Sequence, residues 1–122
     1  MVKSYNEYSN HNMRRPIVKP EIVGLMRGEQ KALTGFLAEV ETFAHAENIP
    51  VIPHETVVYF QFLLLALQPK KILEVGTAIG FSALLMAQAS PDAKITTIER
   101  NPEMAALARE NLAKYDTAQQ IE

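Results

Sequence analysis

The sequence contains no cysteine, and this absence excludes several classes of protein. Without thiols the chain cannot be a disulfide-linked scaffold, bind zinc through cysteine or use a cysteine nucleophile. The longest hydrophobic run, residues 57–67, has eleven residues and is interrupted by Gln61, whereas a membrane-spanning helix needs about 20 residues. The polar start, Met1-Val2-Lys3-Ser4-Tyr5-Asn6, lacks the apolar core of a secretory signal. We therefore expect a cytoplasmic protein that does not enter a membrane.

The composition is that of an ordinary globular domain. The chain has 122 residues, of which 48% are hydrophobic and 21% charged, and this is enough for one domain with a hydrophobic core. The net charge of −2 is unevenly spread, because residues 1–31 contain six Lys and Arg against three Glu. This basic region is either a solvated leader or a segment that contacts an anionic partner. In the second case Arg14, Arg15 and Lys19 are the candidates for phosphate contacts.

The first half of the sequence is predicted to be helical. We expect residues 1–28 to form an extended arm and then a short helix that starts at Pro20 and ends at Gly28. An amphipathic helix is predicted over about residues 29–47, where apolar side chains recur at helical spacing. A further helix is predicted over about residues 55–67. Because it is apolar nearly all round, we expect it to be buried on more than one side.

The second half predicts the start of a doubly wound α/β sheet. β-Branched segments at residues 72–75 and 94–99 indicate buried parallel strands. A helix is predicted after each strand, one over residues 81–89 and one that begins at Pro102 with Asn101 as its N-cap. The predicted fold class is therefore α/β, with N-terminal helices followed by the first β-α-β-α of a Rossmann-like sheet.

Two strands are few for a parallel sheet. Such sheets usually have about five or six strands with both faces covered, and the last residues, 118–122, have the character of a third strand's beginning. We therefore expect residues 29–122 to be a truncated part of a larger domain, with a complete small domain as the alternative. An isolated piece of this kind is expected to self-associate and to lack activity by itself. The whole protein is expected to be a homodimer.

The strongest functional pattern is the loop after the first predicted strand, in the segment Glu74-Val75-Gly76-Thr77-Ala78-Ile79-Gly80-Phe81-Ser82. Gly76 permits a sharp turn and the close approach of a ligand, and Gly80 lets the next helix pack close to the strand with its free amides toward the crevice. Ser82 can donate a hydrogen bond to a ligand carboxylate. Glu99, at the end of the second predicted strand, can accept hydrogen bonds from both ribose hydroxyls of an adenosine ligand.

Two features of this loop favour S-adenosylmethionine over a dinucleotide. The glycine spacing is Gly-x-x-x-Gly, and not the Gly-x-Gly-x-x-Gly that fits a pyrophosphate. The Glu74 carboxylate would repel a pyrophosphate, whereas it would tolerate a ligand with an ammonium and a sulfonium group. A nicotinamide-binding Rossmann domain is the alternative enzyme class. A non-catalytic module that dimerises through its N-terminal helices is the alternative outside enzymes.

The stretch ILEVGTAIGFSALLMA, preceded by IPVIPHET and followed by ITTIER, resembles the cation-dependent O-methyltransferases of the catechol and caffeoyl-CoA type. It is similar above all to their bacterial branch, which includes tRNA 5-hydroxyuridine methyltransferases. The resemblance covers about residues 30–122, the N-terminal half of that fold. It implies an apolar cofactor contact from the helix connector, two positions around the methionine moiety, a serine for its carboxylate and an acid for the ribose. These are, in that order, Ile52, Glu74, Gly76, Ser82 and Glu99.

The resemblance also implies an activity, the transfer of a methyl group from S-adenosylmethionine to an acidic hydroxyl. A divalent cation, with Mg²⁺ expected, would bind that hydroxyl and lower its pKa. The implied acceptor is 5-hydroxyuridine in tRNA, which also suits the basic arm, and a small phenol or catechol is the alternative substrate. The family's metal ligands and catalytic residues correspond to positions after residue 122, so none is assigned within this chain.

Overall fold

Within residues 19–122, which the computed structural model describes, helices come first and strands alternate with helices afterwards. The N-terminal helices are α1 (Pro20–Gly28), α2 (Gly35–Ala46) and α3 (His54–Leu67). The remaining elements are β1 (Lys71–Val75), α4 (Phe81–Ala89), β2 (Lys94–Ile98) and α5 (Pro102–Tyr115). This order confirms the predicted α/β class. None of the helices in this part of the chain combines the length and the apolar character needed to cross a membrane.

The two strands form a parallel pair whose register places Glu74 opposite Thr97. The other edge of β2 is paired by the last residues of the chain. Ile121 forms a parallel bridge with Ile95, and the Ile95 amide donates to the carbonyl of Gln120 at 2.8 Å. These last residues therefore run beside β2 in the direction of a parallel strand, which agrees with the third strand expected there.

The hydrophobic core has α4 at its centre. Seven of the nine α4 residues are buried, and the helix packs against α2, α3, α5 and β2. The largest fully buried side chains of the described residues come from the helices, the loop before α4 and β2: Phe81, Leu37, Ile79, Leu84, Leu85, Ile95 and Val57. Because α4 is enclosed in this way, its N-terminus has a fixed position at the end of the sheet.

One face of the sheet is exposed in the part of the chain that the structure describes. Leu73 and Val75 of β1 are 69% and 81% exposed, so the expectation of a fully buried strand is wrong here. The helix α3 likewise exposes Phe62 and Leu65, contrary to its expected burial on more than one side. The physical reason is that no other segment of residues 19–122 lies against these side chains.

Helix boundaries agree with the prediction where a local signal sets them. The bounds of α4 are those predicted, and Asn101 caps α5, since its side-chain oxygen accepts a hydrogen bond from the Glu103 amide at 2.9 Å. The helix predicted to begin near residue 29 in fact begins at Gly35. The preceding residue, Thr34, has an extended backbone, which separates α2 from α1.

Candidate functional site

The glycine loop, defined here as residues 76–80, connects the C-terminal end of β1 to the N-terminus of α4. Three of its residues have a left-handed backbone, with φ of 100° at Gly76, 47° at Ala78 and 86° at Gly80. The Gly76 amide donates to the carbonyl of Ile98 at 2.8 Å. The loop is therefore a tight turn that is anchored to the end of β2.

The two glycines of the loop have different surroundings. A Cβ atom placed on Gly76 would meet no atom within 4 Å, whereas one on Gly80 would lie 3.5 Å from Leu112 of α5. The backbone at Gly76 is thus open to an approaching ligand, and Gly80 lies in contact with α5. The helix that follows has first-turn amides without partners inside the helix, and these amides form the positive end of its dipole. An anionic ligand group is therefore favoured at the start of α4.

Glu74 is the centre of a hydrogen-bond network beside the loop. Its carboxylate accepts hydrogen bonds from the hydroxyl of Ser82 and, at 2.5 Å, from that of Thr97. The Thr97 hydroxyl oxygen also lies 2.7 Å from that of Thr77 in the loop. None of the ion pairs found within residues 19–122 includes Glu74. The carboxylate is therefore hydrogen-bonded to neutral hydroxyl groups, and it can attract a cationic ligand group.

The Glu99 carboxylate, which follows β2, is hydrogen-bonded to the glycine loop and to the N-cap residue of α5. One carboxylate oxygen accepts a hydrogen bond from the Ala78 amide at 2.8 Å, and the other accepts one from the Asn101 amide at 2.8 Å. The amides of Asn101 and Ala78 hold the pKa of Glu99 below its ordinary value, because they stabilise the charged form. Each oxygen has a second lone pair, so the carboxylate can also accept hydrogen bonds from ligand hydroxyls.

The structure brings four of the five predicted cofactor residues into one region. Glu74 and Ser82 are hydrogen-bonded to each other, Gly76 begins the loop, and Glu99 is bonded to the middle of the loop. Ile52 lies in the connector before α3, where it packs against the buried core. The ligand-binding roles of these five residues stay predictions.

Two residues of this region carried no functional signal in the sequence. Thr97 has the character of an ordinary strand residue, and Thr77 that of an ordinary loop residue. The contact of Thr97 with Glu74 depends on the register between β1 and β2, which places the two side chains opposite each other. The sequence predicts the two parallel strands but not their register, and the register is what places Thr97 beside Glu74.

A second polar contact lies between α1 and α3. The Arg27 guanidinium makes a two-point ion pair with Glu55, at 2.5 Å from Nε to Oε1 and 3.2 Å from Nη2 to Oε2. Both side chains are largely shielded from water, with exposures of 9% and 20%. Burial raises the pKa of Glu55, but the hydrogen bond and charge of Arg27 outweigh it, and the pKa is lowered.

Two further predictions are phosphate contacts from the basic arm near the N-terminus and the binding of a divalent cation. Arg14 and Arg15 lie outside the described residues, and Lys19, the first described one, is exposed. Within residues 19–122 no group of three or more His, Asp or Glu is arranged to hold a metal ion. The role of the arm therefore stays a prediction, and so does the metal.

Comparison with known proteins identifies the family. Residues 29–122 match the family model described as O-methyltransferase. A catechol O-methyltransferase from Niastella koreensis is 35% identical over 92 residues, which are 75% of this chain and 39% of that protein. A protein-L-isoaspartate O-methyltransferase from Shewanella woodyi is 43% identical over 54 residues, 44% of this chain and 25% of that protein. The fold is similar to that of an SAH-bound methyltransferase from Podospora anserina, with a TM-score of 0.75 at 23% identity over 84% of this chain and 46% of that one.

The matches span less than half of each relative's own length. They confirm the predicted resemblance at the level of the family and the Rossmann-like fold class, while the tRNA-specific branch stays a prediction. Two relatives named for different acceptors, a catechol and a protein isoaspartate, both match parts of this chain. The matched segments therefore do not distinguish one acceptor from another.

Proposed function

The chain belongs to the O-methyltransferase family, and from this premise we propose that the protein binds S-adenosylmethionine at the glycine loop and transfers its methyl group to an oxygen atom of an acceptor. The observation that carries the proposal is the loop itself. Its backbone is open at Gly76, its Ala78 amide donates to Glu99, and its Thr77 hydroxyl is linked to Glu74 through Thr97. The similarity in fold to an SAH-bound methyltransferase supports this cofactor.

Three parts of the ligand, its ammonium, carboxylate and ribose groups, have chemically matching groups beside the glycine loop. Glu74 would attract the ammonium group, and the first amides of α4 would bind the carboxylate. Glu99 would accept hydrogen bonds from the ribose hydroxyls, and Ile52 would supply an apolar contact. The ligand supplies an electrophilic methyl group on its sulfonium. The contribution of these residues is to hold and orient that group toward the acceptor.

A titration of the whole protein with S-adenosylmethionine and with NAD tests the cofactor. We expect calorimetry to show binding of the first and none of the second, because Glu74 disfavours a pyrophosphate. Glu74→Gln, which keeps the shape and removes the charge, should weaken the binding of S-adenosylmethionine. Tighter binding of NAD would instead support the nicotinamide-binding alternative, and binding of neither would support a non-catalytic module.

For the acceptor we propose 5-hydroxyuridine in tRNA, on the strength of the basic residues near the N-terminus and the resemblance of the loop segment. A small catechol is the second candidate, and the catechol O-methyltransferase from Niastella koreensis is the observation in its favour. A divalent cation is expected only from the resemblance to the family, which assigns none of its ligands within this chain. In the described part of the chain no group of three or more His, Asp or Glu is arranged to hold a metal ion. No step of the reaction is therefore assigned to a metal.

A further inference from the structure

The hydroxyl groups around Glu74 form a chain of hydrogen bonds with one direction. A carboxylate accepts hydrogen bonds and does not donate them, so the hydroxyls of Ser82 and Thr97 are both donors to Glu74. A threonine hydroxyl has a single hydrogen, and that of Thr97 is used on Glu74. In the 2.7 Å contact between Thr77 and Thr97 the donor is therefore Thr77. The chain runs from Thr77 to Thr97 to Glu74.

Of the three residues in this series of hydrogen bonds, Thr97 is the one that is bonded to the other two. It joins the loop through Thr77 and the end of β1 through Glu74. Thr77 is 4% exposed, so water does not readily replace a lost partner there. Without the Thr97 hydroxyl, Thr77 loses its acceptor and Glu74 loses one of its two hydroxyl donors, and both groups gain freedom to move.

We propose that Thr97 is a positioning residue of the site, which fixes the Glu74 carboxylate and the loop in the arrangement that receives S-adenosylmethionine. This inference rests on the proposed function. In this role Thr97 acts through its hydrogen bonds to Glu74 and Thr77, and not as a group that binds the ligand.

Two substitutions of Thr97 separate positioning from a merely structural role. Thr97→Val keeps the branched shape and removes the hydroxyl, and we expect it to raise the Kd for S-adenosylmethionine about tenfold in the whole protein. Thr97→Ser keeps the hydroxyl and removes the methyl group, and its Kd should stay within about twofold of the wild-type value. A structural role predicts the reverse order, because valine suits a strand better than serine does.

The neighbouring threonine provides the matched control. Thr96 lies on the opposite face of β2, where its hydroxyl donates to Glu122 at 2.8 Å, away from the loop. Thr96→Val should therefore leave the Kd unchanged. Thermal unfolding of every variant shows whether the fold is retained. If Thr97→Val does not fold, Thr77→Val removes the first donor of this series of hydrogen bonds and should raise the Kd about threefold.

The outcomes distinguish this inference from the proposed function. If wild type binds S-adenosylmethionine and Thr97→Val binds it equally well, the positioning role is overturned and the proposed function stands. The positioning role is also overturned if Thr97→Ser binds more weakly than Thr97→Val, or if a folded Thr77→Val has the wild-type Kd. If wild type does not bind S-adenosylmethionine, the proposed function fails, and this inference fails with it.

Discussion

The Glu99 carboxylate at the end of β2 accepts a hydrogen bond from the amide of Ala78, in the middle of the glycine loop, at 2.8 Å. The Ala78 backbone is left-handed, with φ of 47°, a conformation that is unfavourable for a residue with a Cβ atom. The hydrogen bond that the Ala78 amide donates to Glu99 is one of the contacts that offset this cost. A residue predicted from the sequence to bind a ligand is thus also a brace of the loop.

Replacement of Glu99 should therefore affect the binding of S-adenosylmethionine in two ways, through lost ligand contacts and through a loosened loop. We expect Glu99→Ala to raise the Kd more than tenfold, and Glu99→Gln, which keeps one acceptor oxygen, to raise it by less. Calorimetric titration of the whole protein measures both. Glu103→Gln, an acid outside the network at the start of α5, is the control with unchanged affinity. A wild-type Kd in Glu99→Ala would contradict the prediction.

The same contacts predict a response to acid. Because the amides of Asn101 and Ala78 lower the pKa of Glu99 from its ordinary value of 4.5, the stabilisation from this carboxylate is complete above that value. It is lost as the pH falls through the lowered pKa of the folded state. In an NMR titration, the Ala78 amide proton should shift with a midpoint below 4.5. The shift should vanish in Glu99→Gln. A midpoint above 4.5 in wild type would disprove the hydrogen bond between the Ala78 amide and the ionised Glu99 carboxylate.

Local signals are sufficient to predict the elements whose ends are set by their own residues. Asn101 followed by Pro102 supplies both the cap and the first residue of α5, without help from the rest of the chain. The start of α2 shows the limit of this approach. Leu33 belongs to the apolar stripe that predicts a helix, but it lies before the extended Thr34 and outside α2. Apolar periodicity shows which side chains face the core and does not fix the first residue of the helix.

Contacts between distant parts of the chain have no such local signal. Arg27 and Glu55 are 28 residues apart, and nothing in either helix indicates the other as its partner. The contact of Thr97 with Glu74 requires the register of the sheet, in which a shift by one residue would turn Thr97 to the other face. The sequence thus predicts which residues surround the loop and leaves open how they are held.

The two glycines of the loop offer a test of its backbone conformation. Gly76→Ala and Gly80→Ala would place a Cβ atom at φ of 100° and 86°, and each should lower the free energy of unfolding by about 1–2 kcal/mol. The nearest atom to the new Cβ at Gly80, 3.5 Å away on Leu112, is at an ordinary contact distance and adds little to this cost. Urea denaturation measures these changes.

The control for these glycine variants is Gly28→Ala, at the end of α1. This site has no left-handed backbone and no atom within 4 Å of the added Cβ, so the change should be neutral or stabilising by up to about 1 kcal/mol. Gly76→Ala should also reduce the affinity for S-adenosylmethionine more than Gly80→Ala does, because it fills the open space beside the loop. Equal stability losses at Gly28 and Gly76 would contradict the backbone argument.

The ion pair between Arg27 and Glu55 should couple α1 to α3. Because both side chains are largely shielded from water, we expect a double-mutant cycle with Arg27→Ala and Glu55→Gln to give a coupling energy of about 1–3 kcal/mol. The same cycle at Lys70 and Asp92, which are 71% and 79% exposed, should give less than about 1 kcal/mol. Denaturant unfolding supplies the free energies. Equal coupling at the two pairs would show that burial does not strengthen the first.

The proposed RNA acceptor makes the basic arm a site of phosphate contacts. If Arg14 and Arg15 each contact a phosphate, Arg14→Ala with Arg15→Ala should raise the KM for tRNA and reduce the slope of log affinity against log salt by about 0.7–0.9 for each contact. The affinity for S-adenosylmethionine should not change, because the glycine loop is a separate element. The charge-matched control is Lys70→Ala with Lys71→Ala, a basic pair outside the arm, which should leave the slope unchanged.

Methyl transfer by the whole protein to tRNA that carries 5-hydroxyuridine, measured over a series of salt concentrations, provides the test of the arm. A catechol has no phosphate, so its methylation should respond to neither double substitution. Equal salt slopes for wild type and the arm variant would show that Arg14 and Arg15 do not contact phosphates of the tRNA, even if tRNA is methylated. Activity on free catechols alone would instead identify the small phenol as the acceptor and explain the basic residues as a solvated leader.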